Sequence, residues 1–216
     1  MNICAVLFDM DGVMIDTHRC AYSVLSESAA EHGVQISADE IMTLGSLSGM
    51  QFWTFIKEKY SLKDSVEELV SGYDVQKEMS FYDLIGLMPN LVSVLKLLRN
   101  EGYFLGMVTS AKPIRANRIL EMIGPDFAFD VVITADDVSD HKPSPKCYVE
   151  AVSRLGISPK EALVVEDSSN GAIAAQKAGC EVVGFKGSMW EHDSFKADYY
   201  IENHEELLES VLAPNK

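Results

Sequence analysis

The chain is short of positive charge. Its 216 residues carry 18 Lys and Arg against 33 Asp and Glu, a net charge of −15 at pH 7. So acidic a surface repels phosphate backbones and anionic lipids, which makes nucleic acid and membranes poor partners. A small anion is a different matter, because a few cations and amides can reverse the potential inside one pocket. Long hydrophobic runs are missing too. Ile3-Cys4-Ala5-Val6-Leu7-Phe8 stops at Asp9, too short for a secretory leader, and no segment approaches the roughly 18 apolar residues that span a bilayer. Cysteine is sparse. Cys4, Cys20, Cys147 and Cys180 form no CxxC pair and have no His at ligand spacing, which points away from a metal or redox site and toward free thiols in a reducing cytoplasm. Internal repeats and low-complexity tracts are absent.

What remains is the balance of a soluble globular protein, 47% hydrophobic and 24% charged. The length suits one large domain, or a core of about 150 residues with an insertion. In the second half, helical periodicity alternates with short apolar runs. Leu91 to Leu98 reads as a helix with Asn90 as its N-cap and Gly102 as its stop. Phe104 to Val108 follows as a strand. Pro113 opens a helix that ends at Gly124, and Val131-Val132-Ile133 is the next strand. The pattern continues with a helix at Tyr148 to Leu155, a strand at Ala162 to Val165, an Ala-rich helix at Asn170 to Ala178, a strand at Glu181 to Phe185 and a final helix at Glu205 to Leu212. Strands without a polar face, separated by helices, mean a parallel sheet covered on both sides. Ile3 to Phe8 belongs to that sheet as a central strand.

Residues 17–85 read differently, with helical patterns and no convincing strand. Ser37-Ala38-Asp39-Glu40 fits a capping box ahead of Ile41 and Met42. Phe52, Phe55 and Ile56 share one helical face; Val66, Leu69, Val70 and Tyr73 share another. The expected fold is therefore α/β: a Rossmann-like parallel-sheet core, residues 1–16 and 86–216, with a helical domain, residues 17–85, inserted after the first strand.

Ligands of open parallel sheets bind beyond the carboxyl ends of the strands. Asp9-Met10-Asp11-Gly12 follows the first strand, Thr109-Ser110 the Phe104 strand, His141-Lys142-Pro143 the loop after Val131, and Glu166-Asp167-Ser168-Ser169-Asn170-Gly171 the Ala162 strand. Taken singly, each has a bland alternative. Carboxylates after strands form turns or caps, Thr109, Ser168 and Ser169 suit helix N-caps, Glu166-Asp167 suits a helix N-terminus, and Lys142 suits a solvated surface. Jointly they put several carboxylates, hydroxyls and one lysine on a single sheet edge. Crowded carboxylates raise one another's pKa. A hard cation relieves this, and an oxygen-only donor set suits Mg²⁺. One of two carboxylates spaced i, i+2 can attack while the other handles a proton.

On these residues the chain resembles the haloacid dehalogenase superfamily, in its phosphatase and beta-phosphoglucomutase branch with a small helical cap. Leu7-Phe8-Asp9-Met10-Asp11-Gly12-Val13, Val108-Thr109-Ser110, Lys142-Pro143-Ser144-Pro145 and Val165-Glu166-Asp167-Ser168-Ser169-Asn170-Gly171 look like its four motifs in order. The resemblance implies an Mg²⁺-dependent phosphatase that hydrolyses a small phosphate monoester, such as a sugar phosphate, through an aspartyl-phosphate. It implies Asp9 as nucleophile and Asp11 as acid and base. The metal would be held by Asp9, the Asp11 carbonyl and Asp167, with Glu166 touching it or just beyond; Thr109 and Lys142, with the amides of Met10 and Ser110, would hold the phosphoryl group.

A hexose phosphate mutase is the alternative. Lys112 resembles a substrate-phosphate lysine of that branch, and equally suits a solvated charge beside Pro113. Ala21 and Gly49 stand where mutases carry a His and an Arg, with His18 and Arg19 nearby but out of register. A receiver-type phospho-acceptor module is disfavoured by the chain length and the insertion. Thr17, Arg19, Ser46, Ser48 and Gln51 are candidates for substrate selection. The expected partner is a small phosphorylated metabolite, with neither nucleic acid nor membrane, acting in the cytoplasm as a monomer or weak dimer.

Overall fold

The computed structural model describes residues 3–37, 40, 44, 49–188 and 195–212, the last three without their side chains. By their contacts the residues form two compact units, Met1–Asp16 with Gly86–Lys216, and Thr17–Ile85. Among the described residues no helix is long and apolar enough to cross a membrane.

The first unit is built on six parallel strands: β1 (Ala5–Phe8), β2 (Phe104–Val108), β3 (Val131–Ile133), β4 (Ala162–Glu166), β5 (Glu181–Phe185) and β6 (Tyr199–Ile201). Their order across the sheet is β3-β2-β1-β4-β5-β6. β1 lies at the centre, with Ala5 beside Phe104 on one flank and Ala162 on the other. It is buried along its whole length, which is why it shows no polar alternation. Chain order reverses between β1 and β4, leaving a crevice at their carboxyl ends.

Alternate β1 residues serve opposite faces. Ala5 and Leu7 join a cluster with Cys147, Tyr148, Ala151 and Val152 of α8 (Lys146–Leu155) and Ala172, Ala174 and Ala175 of α9 (Ser169–Ala178). On the other face Phe8 meets the His204 ring, 6.4 Å between centroids, at the start of α10 (His204–Leu212). Helices α6 (Leu91–Asn100) and α7 (Pro113–Ile123) complete this unit. Before α6, Met88 N donates to Met14 O at 2.8 Å, and Ile15 bridges to Leu87.

His204 is fully buried, and neither ring nitrogen has a hydrogen-bond partner among the described residues. Burial pushes its pKa down to about 4. The nearby carbonyls of Pro89 and Val13 pull the other way but are not placed to bond the ring.

Among its described residues the second unit contains helices joined by turns, and no strand. It holds α1 (Thr17–Glu31), α2 (Gly49–Tyr60), α3 (Val66–Ser71), α4 (Val75–Ser80) and α5 (Tyr82–Ile85). Its core joins Leu25 and Ala29 to Phe52, Trp53, Ile56 and Leu69, with Val66, Val70 and Tyr73 packed at the margin. Glu78 is buried but satisfied: Tyr73 and Tyr82 donate their hydroxyls at 2.6 and 2.7 Å.

Three local expectations need correction or limits. Asn90 does not cap α6 with its side chain. It adopts a left-handed conformation, φ 62°, that Asn tolerates better than most residues. Phe55 does not share the buried face of Phe52 and Ile56. It is 38% exposed, while Trp53, on the other flank of the Phe52 and Ile56 stripe, is 1% exposed, so the helix turns that flank to the core. The capping box at Ser37 is described only in part: Glu40 N donates to Ser37 Oγ at 3.2 Å, while Ala38, Asp39, Ile41 and Met42 lie outside the described residues. The edge strand β6 goes unpredicted, since three residues of which two are exposed tyrosines give no apolar run.

Candidate active site

Asp9 extends β1 by one step, donating its N–H to Val165 O at 2.9 Å. The chain then folds back on itself: Met14 N donates to Met10 O at 2.9 Å and Gly12 N to Ile15 O at 2.8 Å. Gly12 has φ +77°, and a Cβ there would lie 1.7 Å from Asp167 Oδ2. Only glycine fits both the conformation and the space. The turn thus brings the first strand's loop against the loop that follows β4.

Glu166, the last residue of β4, is completely buried. Its Oε1 accepts from Lys142 Nζ at 2.5 Å and from Tyr148 Oη at 2.8 Å; its Oε2 accepts from Ser168 Oγ at 3.0 Å. Ser168 in turn caps α9, accepting from Gly171 N at 3.0 Å, so its bland reading as an N-cap holds as well. A Cβ on Gly171 would sit 1.8 Å from Glu166 Oε1. Glycine therefore keeps the first turn of α9 flush against this carboxylate.

Lys142 is not a solvated lysine. Its Nζ donates to Asp9 Oδ1 at 2.5 Å, to Glu166 Oε1, and to Val108 O at 3.1 Å, and it lies 5.2 Å from the Tyr148 ring centroid. Burial alone would lower its pKa, but Asp9 and Glu166 outweigh that and hold the ammonium well above its ordinary value. Burial raises Asp9 to about 8, against the pull of Lys142 and with Glu166 and Asp11 adding to the rise. Asp167 is likewise raised well above its usual range by burial and then by Asp9 and Glu166.

Carboxylate oxygens of Asp9, Glu166 and Asp167 lie within 4.8 Å of one another. Three buried carboxylates face one ammonium, so the cluster is short of positive charge. An all-oxygen donor set held by two glycine cradles fits a divalent cation.

Asp11 stays outside that cluster. Its Oδ1 accepts from Arg115 Nη2 at 2.7 Å, and its Oδ2 lies 3.4 Å from Thr109 Oγ1. Thr109 continues β2, donating its N–H to Ile133 O at 2.9 Å, and its hydroxyl accepts from Ala111 N at 2.9 Å. Met10 is buried and contributes its carbonyl to the turn. Ser110 is exposed beside Thr109. Lys112 is exposed at the N-cap position of α7.

Four of the residues singled out from sequence, Asp9, Lys142, Glu166 and Asp167, are thus gathered in one buried group, with Asp11 and Thr109 beside it. Arg115 and Tyr148 were missed. Each lies in the first turn of a helix that begins just after a motif, and such a turn faces the carboxyl edge of the sheet. Tyr148 fits the apolar period of α8 and so reads as plain core.

Comparison with known proteins agrees with this picture. The chain is 32% identical to YhcW of Bacillus subtilis (strain 168), a protein provisionally named a phosphatase, over 96% of this chain and 95% of that one. It is 28% identical to the phosphorylated carbohydrates phosphatase of Thermotoga maritima, over 82% of each. A crystal structure from Thermotoga maritima, provisionally named a beta-phosphoglucomutase, superposes with a TM-score of 0.79 at 26% identity, covering 98% of this chain and 100% of the other. Residues 6–185 match the haloacid dehalogenase-like hydrolases, a stretch that runs from β1 to β5 and includes every residue of the group above, and the chain belongs to that family.

Proposed function

We propose that this protein is a phosphatase acting on a small phosphate monoester, a phosphorylated sugar or similar metabolite, through an aspartyl-phosphate on Asp9. One observation carries the reading: a carboxylate at the end of the central strand, buried with two more carboxylates and a lysine ammonium where the chain order reverses. The names of both phosphatase relatives support the reaction, and that of the Thermotoga maritima protein supports a phosphorylated sugar.

In this reading Asp9 supplies the attacking oxygen. Its bond to phosphorus forms as the bond from phosphorus to the ester oxygen breaks. Asp11 gives its proton to the departing alkoxide, then takes a proton from the water that attacks the phosphorus of the aspartyl-phosphate. That second attack releases inorganic phosphate and returns Asp9 as a carboxylate. Lys142 and Thr109 hold the phosphoryl oxygens, with the amides of Met10 and Ser110 as further donors. Asp9, Asp167, Glu166 and the Asp11 carbonyl would hold Mg²⁺, which when bound neutralises and orients the phosphoryl group. Lys142 keeps Asp9 and Glu166 from repelling each other in the meantime.

The first unit would be the catalytic core and the second a helical cap that selects the substrate. Thr17, Arg19 and Gln51 are the described candidates for that choice, while Ser46 and Ser48 lie outside the described residues. Four free cysteines support a reducing, cytoplasmic setting.

The test is a panel of small phosphate esters with Mg²⁺, read as released phosphate. Turnover that vanishes in Asp9→Asn is expected. Release unaffected by that substitution, or none from any ester, refutes the reading. Interconversion of hexose monophosphates that depends on a bisphosphate would replace it with a mutase.

A further inference from the structure

Asp11 is the least constrained carboxylate of the group, with its side chain 30% exposed. It sits within the turn that Met14 N closes onto Met10 O. A group that must give a proton and later take one back has to return to the same place each time, and small displacements of a catalytic group are costly. Arg115 supplies the constraint that β1 does not. Its side chain is 22% exposed, and Nη2 donates to Asp11 Oδ1 at 2.7 Å. It projects from the third residue of α7, whose start is fixed by Pro113 at the first helical position. That start lies only a few residues beyond Thr109, so β2 and α7 deliver Thr109 and Arg115 to the two oxygens of one carboxylate.

We propose that Arg115 is a positioning residue for the acid–base step. The proposal rests on the role given above to Asp11. The guanidinium is always charged and has no acceptor, so Oδ1 is committed to it. That leaves Oδ2, beside the Thr109 hydroxyl, as the oxygen that carries the proton to the leaving alkoxide and receives one from water. Arg115 acts through Asp11 and not on the substrate. Lys142, with two buried carboxylate partners of its own, does not duplicate it.

A double-mutant cycle tests this with Asp11→Asn, Arg115→Met and the double variant, measuring kcat and KM on the ester turned over fastest. General acid–base groups contribute about 10²–10⁴ in rate. Losing only the orientation should lower kcat about 10-fold with KM changed less than about twofold. The double variant should be no slower than Asp11→Asn alone, because Arg115 has nothing left to orient. Arg115→Lys should recover part of the loss, since charge returns without the planar fork.

Unchanged kcat in Arg115→Met overturns the proposal, as does a loss that appears in KM, or one that recurs in full in the Asp11→Asn background. If Arg115→Met does not fold, Arg115→Gln carries the same comparison. An Asp11→Asn variant with normal turnover would instead remove the role of Asp11 itself, a separate failure.

Discussion

Replacing His204 with leucine should change how the protein responds to acid. The native imidazole titrates near 4 because it is buried between Phe8 and Phe185, with ring centroids 6.4 and 4.6 Å away. In the unfolded chain it titrates near its ordinary value of about 6.5. Between these values the unfolded chain holds a proton that the native protein refuses, so stability present above pH 6.5 is lost as pH falls toward 4. One pKa unit corresponds to about 1.4 kcal/mol. The loss is then roughly 2 kcal/mol between pH 7.5 and pH 5, and about 3 kcal/mol once pH 4 is passed. Leucine has no proton to bind and leaves no ring nitrogen without a partner. At pH 7.5 the variant should lie within about 1 kcal/mol of the parent, and at pH 5 it should be the more stable by roughly 2 kcal/mol. Urea unfolding at several pH values measures both proteins, and the carboxylates common to the two cancel in the difference. Parallel stability curves from pH 7.5 to 5 would refute the argument, because a histidine that finds a proton or a partner in the native state cannot produce the divergence.

Gly171→Ala should abolish turnover and metal binding while α9 still forms, because its Cβ would lie 1.8 Å from Glu166 Oε1; metal titration followed by calorimetry, with circular dichroism for the helix, reads the two effects apart. Lys142→Met should cost about 3–5 kcal/mol in metal-free protein, since two buried carboxylates lose their cation. Thermal unfolding measures that loss. Saturating Mg²⁺ should raise the melting temperature of the parent protein, by an amount equivalent to about 2.7 kcal/mol at one hundred times its dissociation constant. Trp53→Ala should cost about 3–5 kcal/mol, and Phe55→Ser less than about 1 kcal/mol, a contrast that follows from 1% against 38% exposure and that denaturant unfolding resolves.

The sheet was legible because β1, β2, β4 and β5 are buried on both faces, so each appears in the sequence as an apolar run bounded by a motif or a glycine. β6 lies at the edge with two exposed tyrosines and leaves no such trace. Asp9, Glu166, Asp167 and Lys142 could be grouped because strand ends converge by topology, whatever their distance in sequence. Arg115 could not, since its partner is fixed by the path of the chain from β2 into α7, and nothing in the spacing of Pro113 to Arg115 specifies Asp11. Phe55 and Trp53 illustrate a limit of helical periodicity: they flank the Phe52 and Ile56 stripe on opposite sides, and only the packed core decides which flank is buried. Asn90 reads as an N-cap by type, but its backbone conformation turns the side chain away from that task.

The central position of β1 has a consequence for how the protein is made. The strand that leads into Asp9 leaves the ribosome before either of its hydrogen-bonded neighbours, Phe104 to Met107 and Ala162 to Val165. Helices α1 to α5 can collapse locally long before either neighbour emerges. β1 must wait, apolar and unpaired, and the last partner it requires also brings Glu166 and Asp167. Long-range parallel pairing of this kind closes slowly. Truncated or nascent chains that end before β4 therefore hold Asp9 without Glu166 and Asp167 beside it, and that carboxylate group is assembled only late in synthesis.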